Sequence, residues 1–226
     1  MTELTAILGK KVALVGLGKS GQAAKSLIEF QFPNLDLITF DDSSKEADTL
    51  NPDEVVKFNP TCLIVSPGYP LSTPWLQKTI STGVSFLNEV DLASFYLTTE
   101  KSIGITGSIG KSTTAAMIYQ GAHTMDSNAF LGANFGTPFC EYIVDVLKNQ
   151  RPRAQWLILE LSSYHLETLK HLTLDLGIIT YLAPNHLERY PNVDSYYETK
   201  WKIADRTKGQ VLLNMHSDDI AKEFPK

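Results

Sequence analysis

Apolar, β-branched runs alternate with helical periodicity along this chain, the order expected of parallel strand–helix–strand units. Residues 11–15, Lys-Val-Ala-Leu-Val, read as a buried first strand. Over residues 21–30, Ala23, Ala24, Leu27 and Ile28 recur on one face of a predicted helix. Residues 36–40 and 62–65 read as further strands, 74–82 as a short helix, and 84–87 as a strand with mixed signals. A second series opens with a strand over 102–106, a glycine turn and a helix over 111–122. Residues 156–159 and 176–182 are two more buried strands, 193–206 a helix and 210–213 a last strand. Polar residues before the second series place a boundary there, giving domains of residues 1–97 and 98–226. There is no internal repeat and no low-complexity segment.

The chain of 226 residues is 43% hydrophobic and 10% aromatic, enough for a sizeable core and too much for wholesale disorder. Twenty basic against 25 acidic residues give a net charge of −5, with no Lys/Arg run, so a nucleic-acid backbone is a poor partner. No apolar run reaches the roughly 20 residues of a membrane span. Glu3 stands where a signal peptide would be basic. The expectation is a cytoplasmic protein without membrane insertion. Cys62 and Cys140 are far apart, have no C-x-x-C spacing and read as reduced core thiols.

Two glycine turns carry the chemistry. Gly16-Leu-Gly18-Lys-Ser-Gly21 follows a strand and opens a helix, the context that G-x-G-x-x-G requires. Gly16 allows the tight turn, Gly18 lets a phosphate approach, and Gly21 lets the helix pack on its strand. Asp41 and Asp42 follow the second strand, about 20 residues beyond Gly21, near where a dinucleotide fold places its ribose acid. A nucleotide-shaped ligand follows, and NAD is one option. The second turn, Thr106-Gly-Ser-Ile-Gly-Lys-Ser-Thr113, ends in the G-K-S of a phosphate loop, though Ile105 breaks the full spacing. Backbone N–H groups there can face phosphate oxygens. Lys111 can reach the β/γ-phosphates, and Ser112 or Thr113 can ligate Mg²⁺. Glu160 ends a strand where a carboxylate could hold that metal, and His186 lies just past another. His165 is a weaker candidate. His123, His171 and His216 read as ordinary, and Lys200 and Lys202 as a solvated helix face.

Four ordered runs resemble the Mur ligases: the phosphate loop, Glu160-Leu-Ser-Ser-Tyr-His-Leu-Glu167, Asn185-His-Leu-Glu-Arg-Tyr190 and Tyr196-Tyr-Glu-Thr-Lys200. The second run is most similar to the members that add D-glutamate to UDP-N-acetylmuramoyl-L-alanine. The resemblance implies an α/β protein with two parts. The first is a Rossmann-like parallel-sheet domain for the uridine nucleotide, and the second a P-loop-type α/β ATP-binding domain that is incomplete here. It implies ATP, two Mg²⁺ sites, an acyl-phosphate intermediate and a monomer. Lys111, Glu160, His186 and Lys200 would be catalytic. Gly107, Ser108, Gly110, Lys111, Ser112 and Thr113 would hold ATP. Gly18, Lys19, Ser20, Asp41, Asp42, Ser66, Gly68, Asn134 and His186 would contact the uridine substrate. Ser112, Glu160, His186 and a carbamylated Lys200 would hold metal. Ile109 stands where relatives usually carry Asn, and Asn185 where some carry Asp. A complete ligase has a third domain, so this chain is expected to be a fragment that does not ligate alone. Another amide ligase of the same family, an NAD-dependent oxidoreductase and a non-catalytic nucleotide-binding protein are the alternatives.

Overall fold

A computed structural model describes residues 2–186, 189–217 and 219–220. In chain order the elements are α1 (Thr2–Leu8), β1 (Lys11–Val15), α2 (Lys19–Gln31), β2 (Asp36–Phe40), α3 (Pro52–Phe58), β3 (Cys62–Val65), α4 (Pro74–Ile80), β4 (Ser85–Leu87) and α5 (Glu89–Ser94). They continue with β5 (Lys101–Thr106), α6 (Lys111–Met125), β6 (Phe130–Ala133), α7 (Phe139–Leu147), β7 (Trp156–Glu160), α8 (Ser163–Thr168), β8 (Leu174–Ile179), α9 (Val193–Asp205) and β9 (Thr207–Leu213). No described helix is long and apolar enough to cross a membrane.

The chain divides into two compact units between Tyr96 and Leu97, but the second half returns two pieces, Pro138–Lys148 and Leu169–His171, to the first unit. The first unit holds a parallel sheet in the order β2-β1-β3-β4. Its inner strands are apolar on both faces because helices cover both sides, as parallel sheets require. Ala13, Val15, Leu63, Val65 and Phe40 form one core with Tyr69 and Leu76. The face predicted for α2 is buried as expected at Ala23, Ala24, Leu27 and Ile28. α2 packs against α5 and against α7, whose Phe139, Cys140, Tyr142 and Ile143 are buried.

The second unit holds a parallel sheet in the order β6-β7-β5-β8-β9. Ile103, Ile105 and Ile158 of its central strands pack with Ala115 and Ala122 of α6. The strand predicted to reach residue 182 stops at Ile179, because the next residues turn to brace the glycine loop. Both cysteines are free and buried, and burial pushes the Cys62 thiol up to about 12, which leaves it inert.

Within the first unit, Glu89 is fully buried and its carboxylate accepts the Cys140 N–H near the start of α7. Burial raises its pKa from 4.5 to about 7. An acid raised in the folded state contributes a penalty only once the unfolded chain ionises. Stability is therefore full below about pH 4.5 and falls as pH rises towards about 7, by roughly 3 kcal/mol. Glu89→Gln keeps the acceptor and is expected to flatten this slope in urea unfolding between pH 5 and 8. An unchanged slope would place the titration elsewhere.

Candidate functional site

In the second unit the carboxyl ends of β6, β7, β5 and β8 share one sheet edge, where ligands of open parallel sheets bind. β5 ends at buried Thr106, and the chain turns through Gly107 (φ 149°) and Gly110 (φ 86°) into α6. Residues with a Cβ are strained at such angles. α6 has no side-chain cap, so the N–H groups of its first turn, over Lys111, Ser112 and Thr113, lack intrahelical partners and face the loop mouth.

Three carbonyls of the loop are tied down. Lys200 Nζ donates to Gly107 O at 2.8 Å, Thr180 Oγ1 to Ile109 O at 2.7 Å, and Lys111 Nζ to Ser108 O at 3.3 Å. The expected run of free N–H groups is shorter than the sequence suggests. Ser108 N donates to Tyr181 O at 2.6 Å, and Ser108 Oγ donates to Ala183 O at 2.8 Å. Ser108 thus braces the loop against the segment after β8, leaving Gly110 and the helix start to meet an anion.

Glu160 ends β7 with 1% exposure. Its Oε1 accepts from Asn134 Nδ2 at 2.7 Å, while Oε2 is buried with no hydrogen-bond partner. A buried carboxylate oxygen without a donor is costly unless a cation or proton meets it. The donor types suit Mg²⁺: a carboxylate oxygen at the end of β7, which pairs with the strand leading to the hydroxyl residues that open α6. Lys200 is also buried, at 1% exposure on α9, and not solvated as its helix spacing suggested. Burial, and then the charge of Lys111, lower its pKa from 10.5 to about 7, against a smaller upward pull from Glu160. Its ammonium lies 4.6 Å from the Tyr196 ring centroid.

His186 follows β8 with a left-handed backbone (φ 55°), its N–H donating to Asn185 Oδ1 at 2.9 Å. Its Nδ1 is 3.0 Å from the Tyr164 hydroxyl, and its ring lies edge-on to Tyr196, 6.0 Å between centroids. Leu187 and Glu188 of the same motif lie outside the described residues. His165 is buried, its Nδ1 2.6 Å from Ser162 Oγ, and desolvation lowers its pKa to about 4. It is a neutral packing group beside the cap of α8. Among the described residues no group of three or more His, Cys, Asp or Glu converges as a metal cluster. A metal here would rest on the mixed set of hydroxyl, Glu160, His186 and Lys200.

The first unit carries the other turn. Gly16 (φ 87°) bends the chain after β1, and its carbonyl accepts from Ser66 Oγ at 2.7 Å. A Cβ on Gly21 would stand 1.9 Å from Gly16 O, whereas one on Gly18 would meet nothing within 4 Å. Gly21 is thus a packing glycine and Gly18 faces open space. α2 starts at Lys19 without a side-chain cap, with Lys19 exposed and Ser20 partly so. Gly68, in the turn after β3, also faces open space. Asp41 accepts from Leu17 N at 2.8 Å, Ser43 N at 2.9 Å and Ser44 N at 2.8 Å. Led by the Leu17 bond, these hold its carboxyl below the usual range. Asp41 therefore latches the turn itself, and Asp42 beside it is 3.5 Å from the Tyr69 hydroxyl.

Residues 105–226, more than half of the chain, match the Mur ligase middle domain. The chain belongs to the Mur ligase family. A curated Mur ligase relative, the UDP-N-acetylmuramoylalanine–D-glutamate ligase of Rippkaea orientalis, is 32% identical over 214 residues, covering 88% of this chain and 47% of the relative. This chain spans about half the length of the curated Mur ligases it matches. Among solved structures, the UDP-N-acetylmuramate:L-alanyl-γ-D-glutamyl-meso-diaminopimelate ligase of Neisseria meningitides superposes with a TM-score of 0.56 at 12% identity. It covers 94% of this chain and 74% of that one. The MurF ligase of Thermotoga maritima, solved with ADP, gives 0.50 at 17%, covering 96% and 45%. These likenesses show the Mur ligase fold of parallel α/β units.

Proposed function

We propose that this chain supplies the uridine-nucleotide and ATP sites of a ligase that joins D-glutamate to UDP-N-acetylmuramoyl-L-alanine. One observation carries the ATP half: the uncapped start of α6, with Lys111, shares a sheet edge with a buried carboxylate oxygen of Glu160 that has no donor. The name of the Rippkaea relative supports the choice of substrates, and the ADP complex of the Thermotoga ligase supports the nucleotide.

In this reading the substrate carboxylate takes the γ-phosphoryl group of ATP, releasing ADP. The amine of D-glutamate attacks the acyl phosphate, loses a proton, and phosphate leaves as the amide forms. Two anions meet in the first step, so the chain's task is neutralisation and positioning. The α6 N-terminus and Lys111 bind phosphate oxygens. Gly107, Gly110, Ser112 and Thr113 shape that cradle, which Ser108 braces. Mg²⁺, held by Ser112 and Glu160 and, at a second position, by His186 and Lys200, would supply further charge neutralisation on the phosphates. The lowered basicity of Lys200 leaves part of it as the free amine near neutral pH, the form that can take up CO₂ as a carbamate. Asn134 keeps Glu160 aimed. In the first unit, Gly18, Lys19, Ser20, Asp42, Ser66 and Gly68 line the uridine-nucleotide turn, and Asp41 holds its shape.

The complete protein is expected to incorporate radiolabelled D-glutamate only with both ATP and UDP-N-acetylmuramoyl-L-alanine present; incorporation without ATP would sink the reading. Calorimetry separates the uridine nucleotide from the other ligand that G-x-G-x-x-G suggests. UDP-N-acetylmuramoyl-L-alanine should bind and NAD⁺ should not. Tight NAD⁺ binding with no response to the uridine nucleotide would overturn the assignment of the first unit.

A further inference from the structure

We propose that Tyr164 is a positioning residue for His186, its phenol oxygen accepting the Nδ1–H so that Nε2 presents a lone pair to a divalent cation. The inference rests on the assignment of His186 to metal above, and gives the histidine an orienting partner that its motif does not reveal.

The geometry is direct. Tyr164 Oη and His186 Nδ1 are 3.0 Å apart, and the two rings lie 5.2 Å apart, tilted by 56°. Tyr164 sits in the first turn of α8, four residues after Glu160, so the bond links the segment after β7 to the segment after β8. The phenol is itself held in place. The Arg189 guanidinium lies 3.9 Å from its ring centroid, and Arg189 Nη2 pairs with Glu167 Oε2 at 2.6 Å. Both partners of that pair are only 17% exposed, so it restrains more than a solvated pair would. The histidine backbone is held as well, left-handed at φ 55° with its N–H on Asn185 Oδ1.

The chemistry follows from the two ring nitrogens. A neutral imidazole has one N–H and one lone pair, and a histidine that binds metal through one nitrogen donates the other N–H to an oxygen. With Nδ1 occupied by Tyr164, only Nε2 can meet a cation, and it can do so while neutral only when the proton sits on Nδ1. A phenol oxygen accepts a hydrogen bond from that Nδ1–H without adding a charge. Phenylalanine at position 164 would keep the ring under Arg189 and the packing against His186, but would leave the tautomer and ring rotation unselected.

The test uses the complete protein with Mn²⁺ as the metal probe in the presence of ADP, and reads Mn²⁺ affinity by electron paramagnetic resonance. Tyr164→Phe is expected to weaken binding by about 10- to 100-fold, the range for loss of an orienting partner. kcat at saturating metal should fall much less than the apparent metal affinity. His186→Gln serves as reference. Nitrogen-15 NMR of the imidazoles should show His186 protonated on Nδ1 in the parent and a tautomer mixture in Tyr164→Phe. If His186→Gln weakens Mn²⁺ binding and Tyr164→Phe does not, Tyr164 only packs and the proposal fails by itself. A parent His186 protonated on Nε2 also overturns it. If neither substitution changes Mn²⁺ affinity, the assignment of His186 to metal has failed, and the role of Tyr164 fails with it.

Discussion

Replacing Lys111 by alanine is expected to lower the turnover of the complete protein at least about 100-fold while leaving uridine-nucleotide affinity unchanged. Lys111 is the first residue of α6, where a cation opposes the helix dipole. Its ammonium spans the loop to Ser108 O at 3.3 Å, and its charge lowers the basicity of Lys200. Its place against the helix dipole and its repulsion of Lys200 are both unfavourable without an anion nearby. The substitution should therefore leave the ligand-free protein as stable as before, or slightly more stable, and abolish the benefit that a bound phosphate brings. Steady-state kinetics, calorimetry with the uridine nucleotide and thermal melting with and without Mg·ATP read the three quantities. An unchanged kcat would remove Lys111 from the mechanism. A melting temperature that drops without ligand would make the lysine a structural group.

Gly21→Ala should be the most damaging single methyl group in the first unit. The added Cβ would stand 1.9 Å from Gly16 O and 2.9 Å from both Gly16 C and Ser66 Oγ. Two of these atoms are backbone in a turn that Ser66 already anchors through the same carbonyl. They cannot retreat without moving β1 from α2. Overpacking of this kind costs about 3 kcal/mol or more. Gly18→Ala is the matched control. Its Cβ meets no atom of the protein within 4 Å, and the residue's φ of −64° suits any side chain. Its effect on stability should stay within about 1 kcal/mol, the range for a changed N-cap. Its effect should appear instead as weaker uridine-nucleotide binding, since the methyl fills the approach a phosphate would use. Urea unfolding followed by calorimetry on both variants checks the pair. Equal destabilisation by the two would refute the division of labour between these glycines.

The strands were the most legible part of the chain, because strands of a parallel sheet covered by helices are short apolar runs rich in β-branched residues. β1, β2 and β3 fall on the residues that the pattern indicated. The pattern carries the strand over 176–182 three residues beyond its end at Ile179, since Thr180, Tyr181 and Leu182 keep the β-branched, aromatic and apolar character of the run. What ends it is tertiary: the Thr180 hydroxyl bonds Ile109 O and the Tyr181 carbonyl takes Ser108 N–H. β6 gives no strand signal in the sequence because Phe-Leu-Gly-Ala lacks β-branched residues. α3 and α5 are too short for a clear periodicity, yet both carry a local start signal. Asn51 accepts from Asp53 N with Pro52 following it, and Asn88 accepts from Asp91 N. In the site, the phosphate loop and Glu160 were visible as strand ends with the right chemistry. The burial of Lys200 was not, because helix spacing places a residue on a face without saying what covers that face. Asp41 shows the opposite limit. Its distance from Gly21 fits a ribose acid, but only the fold reveals that three backbone N–H groups already share its carboxylate.

The membership of α7 in the first unit bears on how such a protein can be recombined. A chimera that joins residues 1–96 of one homologue to the remainder of another would mate α2 and α5 of one parent with Phe139, Tyr142 and Ile143 of the other. The natural crossover is therefore not a point between Tyr96 and Leu97. A working graft has to carry Pro138–Lys148 and Leu169–His171 along with the N-terminal segment, as three inserts in one reading frame. Substitutions in α2 that are tolerated by drift in one lineage should then be matched by compensating changes in α7, more than one hundred positions and a phosphate loop away in the gene but beside it in the folded chain.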